Sequence, residues 1–284
     1  MSTAITIHYD REQQLNNMLR GLAKCSKHPE EVLIINMGPQ PKIHRDYGLN
    51  IQVKQIEGDD SARLPIGEAR NMGAQLASHD HLHFLDVDCI PGHHYLQDMT
   101  RYLYQNDGLV MGTPRYLYED PKPQFSCEDL YSISSAHHKR PRVEQVQKCD
   151  DPGMFWSLCF SITKQTFNKL GGFDSNFQGY GGEDTDLSFR CKEQQVPFFL
   201  APCEVYHQQH GFYKPPVDKI DSIVENCNYF YSKWNRWPMD KHLKAFQQRG
   251  YIDWSQDQTA PIKIIKRPDT FNMEQFYVND MPYA

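Results

Sequence analysis

The sequence predicts an α/β fold: one mixed sheet flanked by helices, followed by a helical or irregular C-terminal extension. Three observations carry this expectation. Short apolar segments alternate with amphipathic ones, the order that builds a largely parallel sheet. Val32-Leu33-Ile34-Ile35 is apolar without interruption, as a strand covered on both faces must be. The apolar run His83-Phe84-Leu85 ends in two carboxylates one residue apart, Asp86 and Asp88, before a Cys89-Ile90-Pro91 turn.

Taken in order, Ile5 to Tyr9 reads as a first strand closed by Asp10-Arg11. Leu15, Met18, Leu19 and Leu22 then fall at helical spacing within Gln13 to Lys24. The strand Val32–Ile35 stops at the turn Asn36-Met37-Gly38-Pro39. Ile51 to Ile56 alternates as a third strand, and Ile66 to Ser78 presents Ala69, Met72, Gly73, Leu76 and Ala77 on one helical face. His81 to Leu85 is the fourth strand. This succession is that of an α/β nucleotide-binding half. Tyr95 to Gln105 reads as a helix and Leu109 to Gly112 as a strand, whereas 117–152 shows no clear period and reads as a long irregular excursion. Phe155 to Ile162 is strand-like, Lys164 to Leu170 a short helix, Gly171 to Asp174 a turn, and Glu183 to Gln194 a helix. Val196 to Leu200 and Glu204 to Tyr206 are late strands. Beyond Pro215 the expectation is one helix, Ile220 to Tyr231, an aromatic patch from Trp234 to Pro238, and an ill-defined end. The division that follows is a catalytic domain at 1–213, with halves 1–115 and 116–213, and an extension at 214–284.

Composition narrows the function. A chain of 284 residues, 39% hydrophobic, can bury one substantial core. A net charge of −6 with scattered Lys and Arg argues against a nucleic-acid partner, which calls for a basic stripe. The one basic cluster, His137 to Arg142, reads as a solvated loop or as a loop that meets phosphates or an anionic acceptor. The 8 cysteines form no C-x-x-C and no zinc-finger spacing. With no signal peptide evident, a reducing cytoplasmic setting is the simplest expectation. No apolar run approaches the roughly 18 residues that span a bilayer.

Four constellations carry chemistry. Asp86 and Asp88 lie on one side of an extended segment and repel unless a cation or polar ligand intervenes. A hard divalent ion with a diphosphate would meet that demand. Gly179-Tyr180-Gly181-Gly182 permits close backbone approach, and Glu183, Asp184 and Asp186 then crowd the first helical turn. A helix start favours one such charge as a cap; three beside a glycine run suggest a general base. His207-Gln208-Gln209-His210, after the last strand, is a source of imidazole for a divalent site. Arg70, in Glu68-Ala69-Arg70-Asn71-Met72-Gly73, reads either as a salt-bridged residue or as a phosphate partner.

Together these segments, with Gly171-Gly172-Phe173-Asp174, resemble a family 2 glycosyltransferase of the GT-A fold, a single Rossmann-like mixed sheet. Gly179 to Asp186 is similar to the C-terminal module of β-1,4-galactosyltransferases. The resemblance covers residues 5 to about 212, and extends to Trp234–Gly250 through a Trp-Asn-Arg-Trp-Pro-Met stretch. It implies that Asp86 and Val87 meet the nucleoside side of a UDP-sugar, with Tyr9, Arg11, Asn36 and Arg70 completing that site. It implies Mn²⁺ (or Mg²⁺) on Asp88 and on His207 or His210, where galactosyltransferases place a Met and then a His. Glu183, Tyr180 and Gly182 would hold the acceptor, and Asp184 would deprotonate its hydroxyl. One departure stands out: the family usually has Asp-Asp-Gly-Ser after the second strand, and this chain has Asn36-Met37-Gly38, so its uracil contact differs.

The expected activity is an inverting, metal-dependent transfer of a hexose or N-acetylhexosamine, galactose or N-acetylgalactosamine favoured, from UDP to a hydroxyl of a glycan or glycolipid. Peripheral membrane contact is compatible with this. The alternatives are a retaining enzyme like the polypeptide N-acetylgalactosaminyltransferases, a sugar nucleotidyltransferase, and a non-catalytic sugar-binding module. The first lacks the Glu-Asp pair in this form. The second needs a Gly-rich loop after strand one, and the third needs neither metal pair nor base.

Overall fold

The computed structural model describes residues 1–56, 63–269 and 273–279. Among these, the first half runs β1 (Ser2–His8), α1 (Glu12–Leu22), β2 (Glu31–Asn36), β3 (Ile51–Gln55), α2 (Ile66–Leu76), β4 (His81–Leu85), β5 (Cys89–Pro91), α3 (Tyr95–Gln105) and β6 (Leu109–Leu117). The second half adds α4 (Cys127–Ser132), β7 (Ser134–Ala136), β8 (Gln147–Lys148), β9 (Cys159–Thr163), α5 (Lys164–Lys169), α6 (Glu183–Glu193) and β10 (Phe198–His207). The main sheet has the order β3-β2-β1-β4-β9-β6-β10-β5, with β7 on β6 and β8 on β10. β3, β2, β1 and β4 are mutually parallel, β6 is parallel to β10, and β9 runs against both of its neighbours. The expected mixed α/β sheet is present.

The alternation of side chains along each strand divides the core in two. Ala4, Val32 and Ile34 face Leu15, Met18, Leu19 and Leu22 of α1 and Leu96, Met99 and Leu103 of α3. Ile5, Leu33, Ile35 and Phe84 face Ala69 and Ala74 of α2, Phe167 of α5 and Leu187 of α6. Helix α2 lies very close to β1: a Cβ on Gly73 would fall 2.5 Å from Ile5 Cγ2. The missing side chain there sets how near Arg70, one turn earlier, comes to the strand ends.

The sheet also sets where a ligand enters. From β1 the chain moves to β2 on one side and to β4 on the other, so the crevice beyond the carboxyl ends of β1 and β4 is a topological switch point. Asp10 and Arg11 follow β1, and Asp86 to Asp88 follow β4. The end of β10 reaches the same edge, because His207 pairs with Cys89 of β5 and with Tyr116 of β6.

Several sequence expectations are corrected in detail. β10 is one strand, not two, with its register shifting between Leu200 and Glu204; Pro202, which has no N–H to donate, lies in that break. β6 continues five residues past Gly112, to Leu117. The excursion is partly ordered by α4, whose Ser126 and Asp129 form a reciprocal capping box, and by β7 and β8. β9 starts only at Cys159.

Beyond β10 come β11 (Phe212–Tyr213), α7 (Ile220–Trp234), α8 (Asp240–Gln248), β12 (Ile252–Asp253), β13 (Lys263–Ile264) and β14 (Tyr277–Val278). The expected extension is thus more ordered than the sequence suggests, and α8 went unforeseen. It has its own apolar cluster, centred on Ile223, Cys227, Leu243, Phe246 and Ile252. Several contacts join it to the first part. β14 pairs with β11, and the buried Asp186 of α6 accepts from Trp234 Nε1 at 2.9 Å and meets Lys233 Nζ at 2.6 Å. The aromatic patch is therefore largely packing: Trp234 lies against Phe189, and Trp237 stacks on Tyr231 at 4.1 Å.

Candidate active site

Asp88 lies between two imidazoles. Its Oδ1 is 3.5 Å from His207 Nε2 and its Oδ2 is 3.4 Å from His210 Nε2. All three candidate ligand atoms fall within 4.8 Å of one another. Local structure explains why both histidines face inward. Gln208, between them, turns toward α1: its backbone N–H donates to Asp88 O at 2.8 Å, its Oε1 accepts from Asn17 and its Nε2 donates to Gln14 O. His210 Nδ1 donates to Gly211 O at 3.0 Å, which leaves the Nε2 lone pair directed at Asp88. Burial lowers the His210 pKa, favouring the neutral form that binds metals. Burial pushes the Asp88 carboxyl up, but His207, His210 and Arg11 outweigh it and hold it below the ordinary range. One carboxylate and two imidazoles, once the imidazoles have shed their protons, suit a divalent ion such as Mn²⁺.

The second centre is built on α2 and α6. Arg70, 4% exposed, donates from Nη2 to Asp86 Oδ1 at 2.9 Å and from Nη1 to Glu183 Oε1 at 3.3 Å. Its guanidinium also lies 5.2 Å from the centroid of the Phe173 ring. Gly179, Gly181 and Gly182 all have positive φ (73°, 96° and 93°), a conformation open to glycine, and the turn they make points the start of α6 into the crevice. Asn226 of α7 fixes that turn by donating to the carbonyls of Gln178, Tyr180 and Gly181. Burial, then repulsion from Asp184, pushes Glu183 up to about 7 despite Arg70. Burial likewise raises Asp184 and Asp86. Among the described residues, Glu183 Oε2 is buried and has no hydrogen-bond partner, so it is available to a ligand hydroxyl. Asp184 is held by the Thr185 backbone N–H at 2.6 Å through Oδ1.

The structure brings Asp86, Asp88, Glu183, Asp184, His207, His210 and Arg70 to one mouth of the sheet. Several expected residues are engaged by partners within the protein. Arg70 points inward and braces two carboxylates, so its side chain does not stand open to a phosphate. Asn36 is fully buried; its amide donates to Gly38 O, Pro39 O and Gln55 Oε1, and its Oδ1 faces His8 Nδ1. It shapes the turn after β2. The Val87 side chain packs in the core with Leu85 and Cys89. Tyr9 is 46% exposed and rests against Gly38. Tyr180 packs on the apolar cluster of the C-terminal segment, and Gly182 caps α6. Asp186 is withdrawn into ion pairs with Arg190 and Lys233, so two of the three acidic residues of that turn remain for chemistry. Sequence reasoning missed Gln208 and Asn226, single amides with no spacing to mark them.

Comparisons with known proteins give the family and the fold. Residues 4–215 match the model of a family described as glycosyltransferase like family 2, well over half of the chain. The chain belongs to that family. Validoxylamine A glucosyltransferase of Streptomyces hygroscopicus subsp. limoneus is 26% identical over 262 residues, covering 79% of this chain and 55% of the relative. Hyaluronan synthase of Pasteurella multocida is 25% identical over 267 residues, covering 81% of this chain and 27% of the relative. This family 2 chain thus spans only part of the length of these relatives. Among solved structures, GalNAc-T7 with UDP, GalNAc and Mn²⁺ superposes at a TM-score of 0.58 with 14% identity, covering 88% of this chain and 54% of that one. S. aureus TarS 1–349 in complex with UDP-GlcNAc gives 0.54 with 14% identity, over 74% of this chain and 58% of that one. Both likenesses are of the GT-A fold.

Glu183 sits at about 7 against 4.5 for a free glutamate, so between these values the folded chain keeps a proton the unfolded chain has lost. Its contribution therefore favours folding at low pH and is lost as pH rises through about 7. Relative to Glu183→Gln, wild type should lose stability from pH 5 to pH 8 in urea titrations; a constant difference would contradict the assignment. Separately, Asp88→Ala and His210→Ala should each weaken Mn²⁺ binding by at least about tenfold, read by calorimetry without any sugar. Unchanged binding in both would remove the triad as a metal site.

Proposed function

We propose that this chain is an inverting, metal-dependent glycosyltransferase that moves a hexose or N-acetylhexosamine from a UDP-sugar to a hydroxyl of a glycan or glycolipid. The observation that carries the proposal is the pairing, at one switch-point crevice, of a three-ligand cation site with an adjacent Glu183–Asp184 pair. A nucleotidyltransferase has no need of the second, and a binding module needs neither. Mn²⁺, or Mg²⁺ with a lower fit to imidazole, would be held by Asp88, His207 and His210. Such an ion neutralises charge on a leaving diphosphate.

The chain's own groups do the rest. Glu183 Oε2 takes a hydrogen bond from the acceptor and positions it. Asp184 removes the proton from the attacking hydroxyl, a task for which a carboxylate raised by burial is better suited than a solvated one. The acceptor oxygen bonds to the anomeric carbon as the bond to UDP breaks on the opposite face, which inverts the centre. Arg11, just beyond β1 and close enough to influence Asp88, lies on the donor side. Galactose or N-acetylgalactosamine is the favoured donor sugar, on the likeness of Gly179–Asp186 to the galactosyltransferase module. Among the described residues no helix is long and apolar enough to cross a membrane.

The test is release of UDP from a panel of UDP-sugars with a mixed glycan acceptor, comparing wild type with Asp184→Asn. Loss of a positioned base costs about 10²–10⁴-fold. The variant should lose transfer by that order while still binding UDP with Mn²⁺. Transfer within a factor of about two of wild type would exclude Asp184 as the base, and product with the donor's anomeric configuration would exclude inversion.

A further inference from the structure

The basic stretch of the excursion folds back over the site. Arg140 stacks on Trp156, its guanidinium carbon 3.4 Å from the ring centroid, and Nη1 donates to Met154 O. Among the described residues, Arg140 Nε and Nη2 are buried with no hydrogen-bond partner. Arg140 is half-buried, and two donors held from water without a partner are costly unless an anion meets them. Burial accordingly depresses Arg140 to about 10, with the Asp184 charge opposing that fall. His137 packs edge-on against Trp156 at 5.0 Å and lies 5.8 Å from Tyr116, whose ring is 5.2 Å from His207. An aromatic row thus runs from the metal triad to Arg140.

A second cationic group reaches the same place from the C-terminal segment. Met239, which precedes α8, covers the glycine turn: a Cβ on Gly181 would fall 2.5 Å from Met239 Sδ. Two residues on, Lys241 meets the Lys139 side chain of the excursion, and its charge also acts on His137. Both side chains are exposed, so water screens their repulsion in part, and an anion between them would relieve the rest. Arg140 bonds the 152–154 turn through Met154 O, and Ser188 of α6 holds that turn by donating to Pro152 O at 2.8 Å, so the cluster borders the helix that carries Asp184. The cluster therefore belongs to the side from which the attacking hydroxyl comes.

We propose that Lys139, Arg140 and Lys241 form an oxyanion subsite for the acceptor, so that the acceptor carries a carboxylate or phosphate close to the hydroxyl that is glycosylated. This rests on the assignment of Asp184 to the acceptor side. Arg140 supplies a planar fork suited to an oxyanion, and the two lysines supply point charges at the rim.

A binding measurement tests it without turnover, so its result stands apart from that of the transferase assay. The full chain with UDP and Mn²⁺ is titrated with methyl β-D-glucoside, methyl β-D-glucuronide and glucose 6-phosphate, followed by calorimetry or ligand-observed NMR. At least one of the two anions should bind about tenfold or more tighter than the neutral glycoside. That preference should collapse in Arg140→Gln and in Lys139→Ala/Lys241→Ala, the latter altering only exposed side chains. Which anion prevails identifies a uronic acid or a phosphate as the group recognised. Equal binding of all three ligands, or a preference that survives in both variants, would overturn the subsite.

Discussion

One buried guanidinium organises this site. Arg70 joins Asp86, delivered by β4, to Glu183, delivered by the glycine turn before α6, and so couples the two halves of the crevice. Three carboxylates, Asp86, Glu183 and Asp184, crowd around it, and without it they would repel one another in a region poor in water. Breaking a buried ion pair of this kind costs about 3–5 kcal/mol, because the remaining partners stay desolvated. The close seat of α2 on β1, allowed by Gly73, brings Arg70 into range.

The same charge balance explains why the site invites ligands. Arg70 offsets only part of the local negative charge, and burial keeps Glu183 and Asp184 from ionising as readily as exposed carboxylates. Asp88 behaves differently, since positive charge on His207, His210 and Arg11 holds its carboxyl below the ordinary range. Carboxylates of one crevice are therefore tuned in opposite directions, Asp88 downward and Asp86, Glu183 and Asp184 upward, which would let one site serve both ligation and proton transfer. The C-terminal segment contributes by locking the start of α6: Asn226 binds the glycine-turn carbonyls, and Lys233 and Trp234 hold Asp186.

Much of this was legible in the sequence because strong periodicities and short-range motifs carried it. The alternating elements of the first half, the switch-point aspartates and the His207–His210 pair all depend on local pattern. What stayed hidden depends on contacts across the chain. Whether Arg70 faces solvent or two carboxylates is decided by α6, more than a hundred residues later. Asn36 was expected at the nucleotide, but its amide is consumed by the turn it builds, which composition alone does not show. The glycine turn marked Glu183 and Asp184, while nothing marked Asp186 as the member bound inward by Lys233 and Trp234. The Ser126–Asp129 capping box is a local signal, but with no apolar period around it the sequence does not announce the helix it starts.

The central claim is that Arg70 fixes the geometry between the cation site and the acceptor base, and Arg70→Lys tests it most directly. Lysine keeps the charge but lacks the fork that spans Asp86 and Glu183. The account predicts a folded variant whose Mn²⁺ affinity is close to that of wild type, since the Asp88 triad does not touch Arg70, with sugar transfer reduced by about 100-fold through misplacement. Sugar transfer by that folded variant at the wild-type rate would contradict the claim.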